Sequence, residues 1–190
     1  MGREHGKCKA KVTIGRKIKA GIVTVRPAPS APTRALLRFG PVTVPAAIGR
    51  SGRRVLKREG DGATPIASMR VLSGFLRRDR ISSPPSRLRL APIRKDMLWC
   101  DAPGHAAYNR LVRAPFKPSH EMLMRADNLY DLCLVLDWNI AERRRNRGSA
   151  IFLHLIRPGY QPTEGCIALE PLHMRRLLAF LRPGTLVKVL

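Results

Sequence analysis

The chain has 190 residues, with 36 Lys or Arg against 13 Asp or Glu and a formal net charge of +23. Its length suits one domain with a buried core, and its 44% hydrophobic content excludes a wholly disordered polycation. The longest uncharged apolar stretch, Phe39 to Gly49, is broken by Pro41 and Pro45 and falls short of the ~18–20 residues a membrane-crossing helix needs, so no transmembrane segment is expected.

In chain order, residues 1–21 read as a disordered basic leader without an apolar period, and 22–190 as one domain. The leader has no apolar run before Arg16, Lys17 and Lys19, so no secretory signal is visible. Ile22 to Arg26, Ala35 to Phe39 and Val42 to Val44 predict short strands separated by Pro and Gly punctuation. Lys57 to Pro65 (KREGDGATP) reads as a polar turn, Met69 to Leu76 as a strand, and Ser82 to Ser86 as a linker within the domain. Tyr130 to Leu136 and Ala150 to Ile156 are near-continuous apolar runs of strand length, separated by a basic surface loop, Glu142 to Arg147. Pro171 opens a helix with Leu172, Leu177, Leu178 and Leu181 at helical spacing, and Arg182-Pro183-Gly184 ends it. Leu186 to Leu190 predicts a closing strand. Many short strands with one late helix predict a mostly-β sandwich or barrel.

The cysteines, Cys8, Cys100, Cys133 and Cys166, form no C-x-x-C pair, and His5 with Cys8 has no second ligand pair. Neither a zinc ribbon nor a redox dithiol is therefore expected. Cys100 and Cys133 read as apolar fillers, and Trp99 and Trp138 as packing residues. Asp61 and Thr64 sit in turn-forming sequence, where bonds to their own backbone are the default.

Chemistry concentrates at His154 and Cys166. In an extended segment His154 shares a face with Phe152 and Ile156, and twelve positions later Cys166 closes the turn Thr163-Glu164-Gly165-Cys166. An imidazole beside a thiol converts it to a thiolate–imidazolium pair, and amides around Gly165 and Cys166 suit a developing oxyanion. Spacing alone leaves a second reading open, a satisfied core histidine and a buried free cysteine.

The stretch Arg147 to Leu169, RGSAIFLHLIRPGYQPTEGCIAL, resembles the signature of the L,D-transpeptidase (YkuD-like) catalytic domain family. That family carries a His in a strand, a loop, then a Ser/Thr-x-Gly-Cys turn, here His154, Thr163, Gly165 and Cys166. Lys57 to Pro65, Trp99-Cys100-Asp101, Tyr108-Asn109-Arg110 and Ser119-His120-Glu121 also resemble small bacterial single-domain members, so the likeness runs from about Ile22 to Leu190.

The resemblance implies a YkuD-like β-sandwich or barrel with a helix following the Cys turn. It also implies a cysteine-dependent acyltransferase, with Cys166 as nucleophile and His154 as general acid/base. A thioester acyl-enzyme would form with a peptidoglycan stem peptide and pass to an acceptor amine, cross-linking the cell wall. Donor and acceptor stems are the implied partners, carbapenems the implied inhibitors, and no cofactor or metal takes part. The implied location is periplasmic or cell-envelope. Gly165, Thr163, Glu164 and Arg157 are the expected oxyanion and substrate-binding residues, with Arg157 either clamping a stem carboxylate or solvated at a strand end. Many members have a second His before Gly-Cys. Here Glu164 stands there, expected to bind the acceptor ammonium or to stabilise the imidazolium. His120 reads as a loop residue that either lines the cleft or caps the loop, and His173 lies on the helix outside the site.

Two other readings compete. The net charge and Arg143-Arg144-Arg145 suit a nucleic-acid-binding protein, although the chain has neither a recognition helix nor an RNP aromatic motif. A non-catalytic wall-binding module would keep the fold without needing both His154 and Cys166.

Overall fold

A computed structural model describes residues 21–29 and 31–190. The expected basic leader, except for Gly21, and the His5/Cys8 pair lie outside the described residues.

Among the described residues, fourteen strands and one α-helix are formed. The first strands are β1 (Ile22–Ala28), β2 (Ala31–Phe39) and β3 (Val42–Ala47), followed by the two-residue β4 (Arg53–Arg54) and β5 (Thr64–Pro65). Next come β6 (Ser68–Leu76), β7 (Leu90–Pro92), β8 (Met97–Cys100), β9 (Arg110–Arg113), β10 (His120–Met122) and β11 (Leu132–Leu136). The chain ends with β12 (Phe152–Leu155), β13 (Ile167–Leu169), α1 (Pro171–Phe180) and β14 (Leu186–Val189).

The strands β11-β12-β13-β3-β2-β1-β14-β6 follow one another in a single sheet, and β6 pairs back onto β11, closing a barrel. β7 extends the sheet beside β6, and β10-β8-β9 form a separate three-stranded sheet. Of the two alternatives predicted, sandwich or barrel, the barrel is the one formed.

Alternation decides which side chains go inside. Val23 and Val25 on β1, Leu37 and Phe39 on β2, and Val44 and Ala46 on β3 point into the barrel, with more exposed residues between them. β11 and β12 are buried on both faces, which explains their unbroken apolar runs. Leu132, Leu134, Leu136, Leu153 and Leu155 join the barrel core, while Cys133, Val135 and Phe152 join a second cluster with Trp99, Met97 and Tyr130. Phe152 is gripped edge-on there by Trp99 at 5.1 Å and Tyr130 at 5.9 Å. Cys100 and Cys133 are fully buried fillers, as expected.

Helix α1 begins at Pro171, whose missing N–H costs nothing in the first turn, and sends Met174, Leu177 and Leu178 into the barrel core. Besides the short β4, β5 and β7, two further features were not predicted. β13 is only three residues between the Gly-Cys turn and Pro171, and its sequence reads as turn leading directly to helix. The sheet β8–β10 is built of strands of three or four residues among Pro, Gly and Arg, held by packing on β11 and β12 rather than by a local period. No helix among the described residues is long and apolar enough to cross a membrane.

Leu134 is fully buried and pairs with Leu153 on one side and Gly74 on the other, at the seam that closes the barrel. Leu134→Ala is expected to lower stability by about 2–5 kcal/mol in urea denaturation, since the closed sheet around it has little room to collapse.

Candidate active site

β12 and β13 run parallel, with Leu153 opposite Ile167 and His154 opposite Ala168. Continuing that register brings Cys166 alongside Phe152, two positions from His154 on the same face. The Phe152 N–H donates to Cys166 Sγ at 3.3 Å, and the thiol donates to the Ala150 carbonyl at 3.1 Å. His154 and Cys166 both line one open cleft of about 560 Å³, with Tyr130, Glu121, Arg125 and Arg157 among its other walls.

Both groups are nearly enclosed, His154 at 5% and Cys166 at 9% exposure. Burial pushes the Cys166 thiol up to about 12, reinforced by the negative charge of Glu121 and opposed by the Phe152 N–H and by Lys57. Burial likewise pushes His154 down to about 4, against the hydrogen bond to Leu155 and with added repulsion from Arg125 and Arg157. The resting pair at neutral pH is therefore an uncharged thiol and an uncharged imidazole, in contrast to the thiolate–imidazolium pair expected from sequence. The physical reason is desolvation, which penalises the charged form of each partner.

The imidazole is nevertheless oriented. His154 Nδ1 lies 2.7 Å from the Leu155 carbonyl, which only accepts, so Nδ1 carries the proton and Nε2 is the basic nitrogen. The Tyr130 ring meets the imidazole edge-on at 5.4 Å, and its hydroxyl donates to Glu121 at 2.6 Å.

The Thr163–Cys166 turn is bound to distant parts of the chain. Thr163 N–H donates to Ile48 O at 2.9 Å and Thr163 O accepts from Arg50 N–H at 2.7 Å. Thr163 Oγ1 donates to Cys166 O at 2.7 Å and accepts from Gly165 N–H at 3.1 Å. Thr163 thus shapes the turn, and the Gly165 amide is already engaged, whereas the sequence reading offered it to an oxyanion. Gly165 has φ +131°, and a Cβ there would lie 2.8 Å from Ala63 O, so glycine is required by close backbone approach. Thr64 Oγ1 accepts from Gly49 N–H at 2.9 Å and reaches Cys166 O at 3.4 Å, a long-range role that its turn setting concealed.

Glu164 projects from the rim and pairs with Arg50 at 2.7 Å, both side chains being more than half exposed. Its carboxylate is directed to that guanidinium, not to the imidazole, and an exposed pair of this kind adds little stability. Arg157 is half-exposed at the cleft edge, 4.0 Å from Asp127. His120 lines the same cleft with Nδ1 against Pro118 O at 2.7 Å. His173 lies outside it, 3.7 Å from Glu170. Among the described residues no group of three His, Cys, Asp or Glu is arranged to hold a metal.

The sequence reading gave no role in the site to Tyr130, Glu121, Arg125, Arg50 or Lys57. Tyr130 was absorbed into an apolar run, and the others sit in short strands or turns where only long-range contacts define their positions.

A histidine buried neutral makes stability depend on pH. Its ordinary value near 6.5 falls to about 4 in the fold, so its effect is absent above pH 6.5. Between pH 6.5 and 4 the unfolded chain gains a proton that the fold refuses, costing roughly 3 kcal/mol in total. Urea denaturation from pH 7 to 4 is expected to show this extra loss in wild type and not in His154→Gln.

Residues 33–189 match the family of the L,D-transpeptidase catalytic domain, YkuD. No curated protein matches the chain. Among solved structures, Mycobacterium tuberculosis L,D-transpeptidase 1 is similar at 14% identity with a TM-score of 0.39, the match covering 89% of this chain and 62% of that one. With the family match spanning most of the described chain, and a closed barrel presenting His154 and Cys166 in one cleft, the protein belongs to the YkuD family of L,D-transpeptidase catalytic domains.

Proposed function

We propose that the chain is a cysteine-dependent L,D-transpeptidase that joins peptidoglycan stem peptides through a thioester on Cys166. The observation that carries this reading is the juxtaposition of His154 and Cys166 on one face of β12–β13, open to the cleft, with the imidazole tautomer fixed by Leu155 O. Family membership supports the substrate class.

The reaction starts from neutral partners. The donor stem enters the cleft and presents a peptide carbonyl to Cys166 Sγ. As the S–C bond forms, the thiol proton leaves its resting contact with Ala150 O and passes to His154 Nε2. Coupling the two events avoids a free thiolate, which burial disfavours. With Gly165 N–H engaged by Thr163 Oγ1, the Cys166 N–H is the amide of the turn assigned to the oxyanion. The C–N bond then breaks, and the leaving amine takes the proton from His154. An acceptor amine attacks the thioester, His154 removes its proton, and the thiol is restored as the new amide leaves. Arg157 and Arg125 offer positive charge at the cleft wall for stem carboxylates, while Glu164 and Glu121 offer negative charge for the acceptor ammonium. The chain's +23 charge favours retention on an anionic wall, and the cell envelope is the proposed site of action.

Incubation with tetrapeptide muropeptides, followed by mass spectrometry, is expected to yield cross-linked dimers. A carbapenem is expected to add its mass at Cys166 and stop the reaction. Cys166→Ala should abolish product, and His154→Gln should lower the rate by about 10²–10⁴-fold. Because the base must be neutral and His154 is pushed down to about 4, the acid limb of kcat/KM is expected near pH 4 rather than 6.5. Undiminished cross-linking by Cys166→Ala would overturn the proposal.

A further inference from the structure

Lys57 is only 2% exposed and does not line the cleft. A lysine so enclosed requires a counter-charge. Its Nζ donates to Asp61 Oδ1 at 2.5 Å and to Arg58 O at 2.7 Å. Asp61 also accepts from Arg58 N–H at 2.8 Å and Ala63 N–H at 2.9 Å, so both carboxylate oxygens are committed. Burial raises the Asp61 carboxyl, but the bonds from Lys57, Arg58 and Ala63 outweigh it and hold the group below its usual range. Asp61 is therefore a carboxylate at neutral pH, and the pair is fixed in place.

The lysine stem runs between two glycines that flank the sulfur's surroundings. A Cβ on Gly148 would lie 3.0 Å from Lys57 Cγ and 3.1 Å from its Cε, and one on Gly165 would lie 3.6 Å from the same Cε. Gly148 leads into Ala150, whose carbonyl accepts the Cys166 thiol, and Gly165 precedes Cys166 itself. Ala63, held by Asp61, brings its carbonyl to 2.8 Å from the same Cβ position of Gly165. One side chain therefore packs against both turns, and one ion pair holds that side chain in place.

We propose that Lys57, clamped by Asp61, is a positioning residue for Cys166: its stem fixes the two turns around the sulfur, and its ammonium supplies a stationary positive charge that favours negative charge on that sulfur. The proposal rests on Cys166 being the nucleophile. The titratable groups facing Cys166 come from several elements. Glu121 on β10 and Tyr130 before β11 place negative or potentially negative groups there, as does Cys133 on β11, and His154 on β12 is neutral. Lys57 is the cation that opposes Glu121 at the thiol.

The test is the rate of Cys166 alkylation by iodoacetamide at about pH 8, where that rate follows the small thiolate fraction, read site by site by mass spectrometry. Lys57→Met is expected to slow it about tenfold, and Lys57→Arg, which keeps the charge but changes the shape, to leave it near wild type. The double variant Lys57→Met with Asp61→Asn replaces the ion pair by a neutral one, and its rate is also expected to fall. It decides the matter if a single variant fails to fold. An unchanged rate in a folded Lys57→Met or double variant would overturn the proposal, as would an equal fall in Lys57→Arg. Alkylation needs no peptidoglycan. The expected rate changes without cross-linking would therefore overturn the transpeptidase reading, and cross-linking without them would overturn only the role of Lys57.

Discussion

The parallel pairing of β12 with β13 is the constraint on which the site depends. It is a short contact, yet its register sets Cys166 beside Phe152 and His154 one pleat further along the same face. A slip of one residue would turn His154 into the barrel core, where the leucines now sit. Register is protected because both strands are buried on both faces. Leu153 and Leu155 occupy the barrel interior, while Phe152 is locked between Trp99 and Tyr130. The small sheet β8–β10 thus has a function beyond packing, since it closes the outer face against which Phe152 is held.

Desolvation dominates the electrostatics of this site. The thiol is pushed up to about 12 and the imidazole down to about 4, with neighbouring charges as smaller contributors. A chain with a large positive charge surrounds its thiol with little of it: Arg125 and Arg157 bear on the imidazole, and Lys57 is the cation that bears on the sulfur. In the proposed chemistry the proton moves as the sulfur attacks, rather than before. Such an arrangement keeps the thiol quiet until a carbonyl is present, and makes the geometry of Ala150 O, Phe152 N–H and the imidazole more important than the intrinsic acidity of the cysteine.

Much of the barrel was legible because its strands follow simple rules. Short β-branched or apolar runs between Pro and Gly punctuation marked β1 to β3, and near-continuous apolar runs marked β11 and β12. Pro171 with Arg182-Pro183-Gly184 delimited α1. His154 and Cys166 were legible from residue type and family likeness, and the face shared by Phe152 and His154 followed from strand period. The charge state of the pair was not, because burial depends on what β8–β10 and α1 cover. Lys57 and Thr64 read as turn residues for a similar reason. A lysine followed four residues later by aspartate in a glycine-rich loop signals solvent, and only the approach of Gly148 and Gly165 encloses it.

Strand β14 lies between β1 and β6, so the last strand of the chain is wedged between two of the earliest. During synthesis on a ribosome, the hairpins of β1 to β3 emerge with one margin bare, and β6 has no neighbour on that flank until Val189 is delivered. A nascent chain stalled after Ala168 would expose two unsatisfied strand margins while already containing every residue of the cleft. Such a species invites association with other nascent chains. The topology thereby postpones closure of the barrel until β14 has been made.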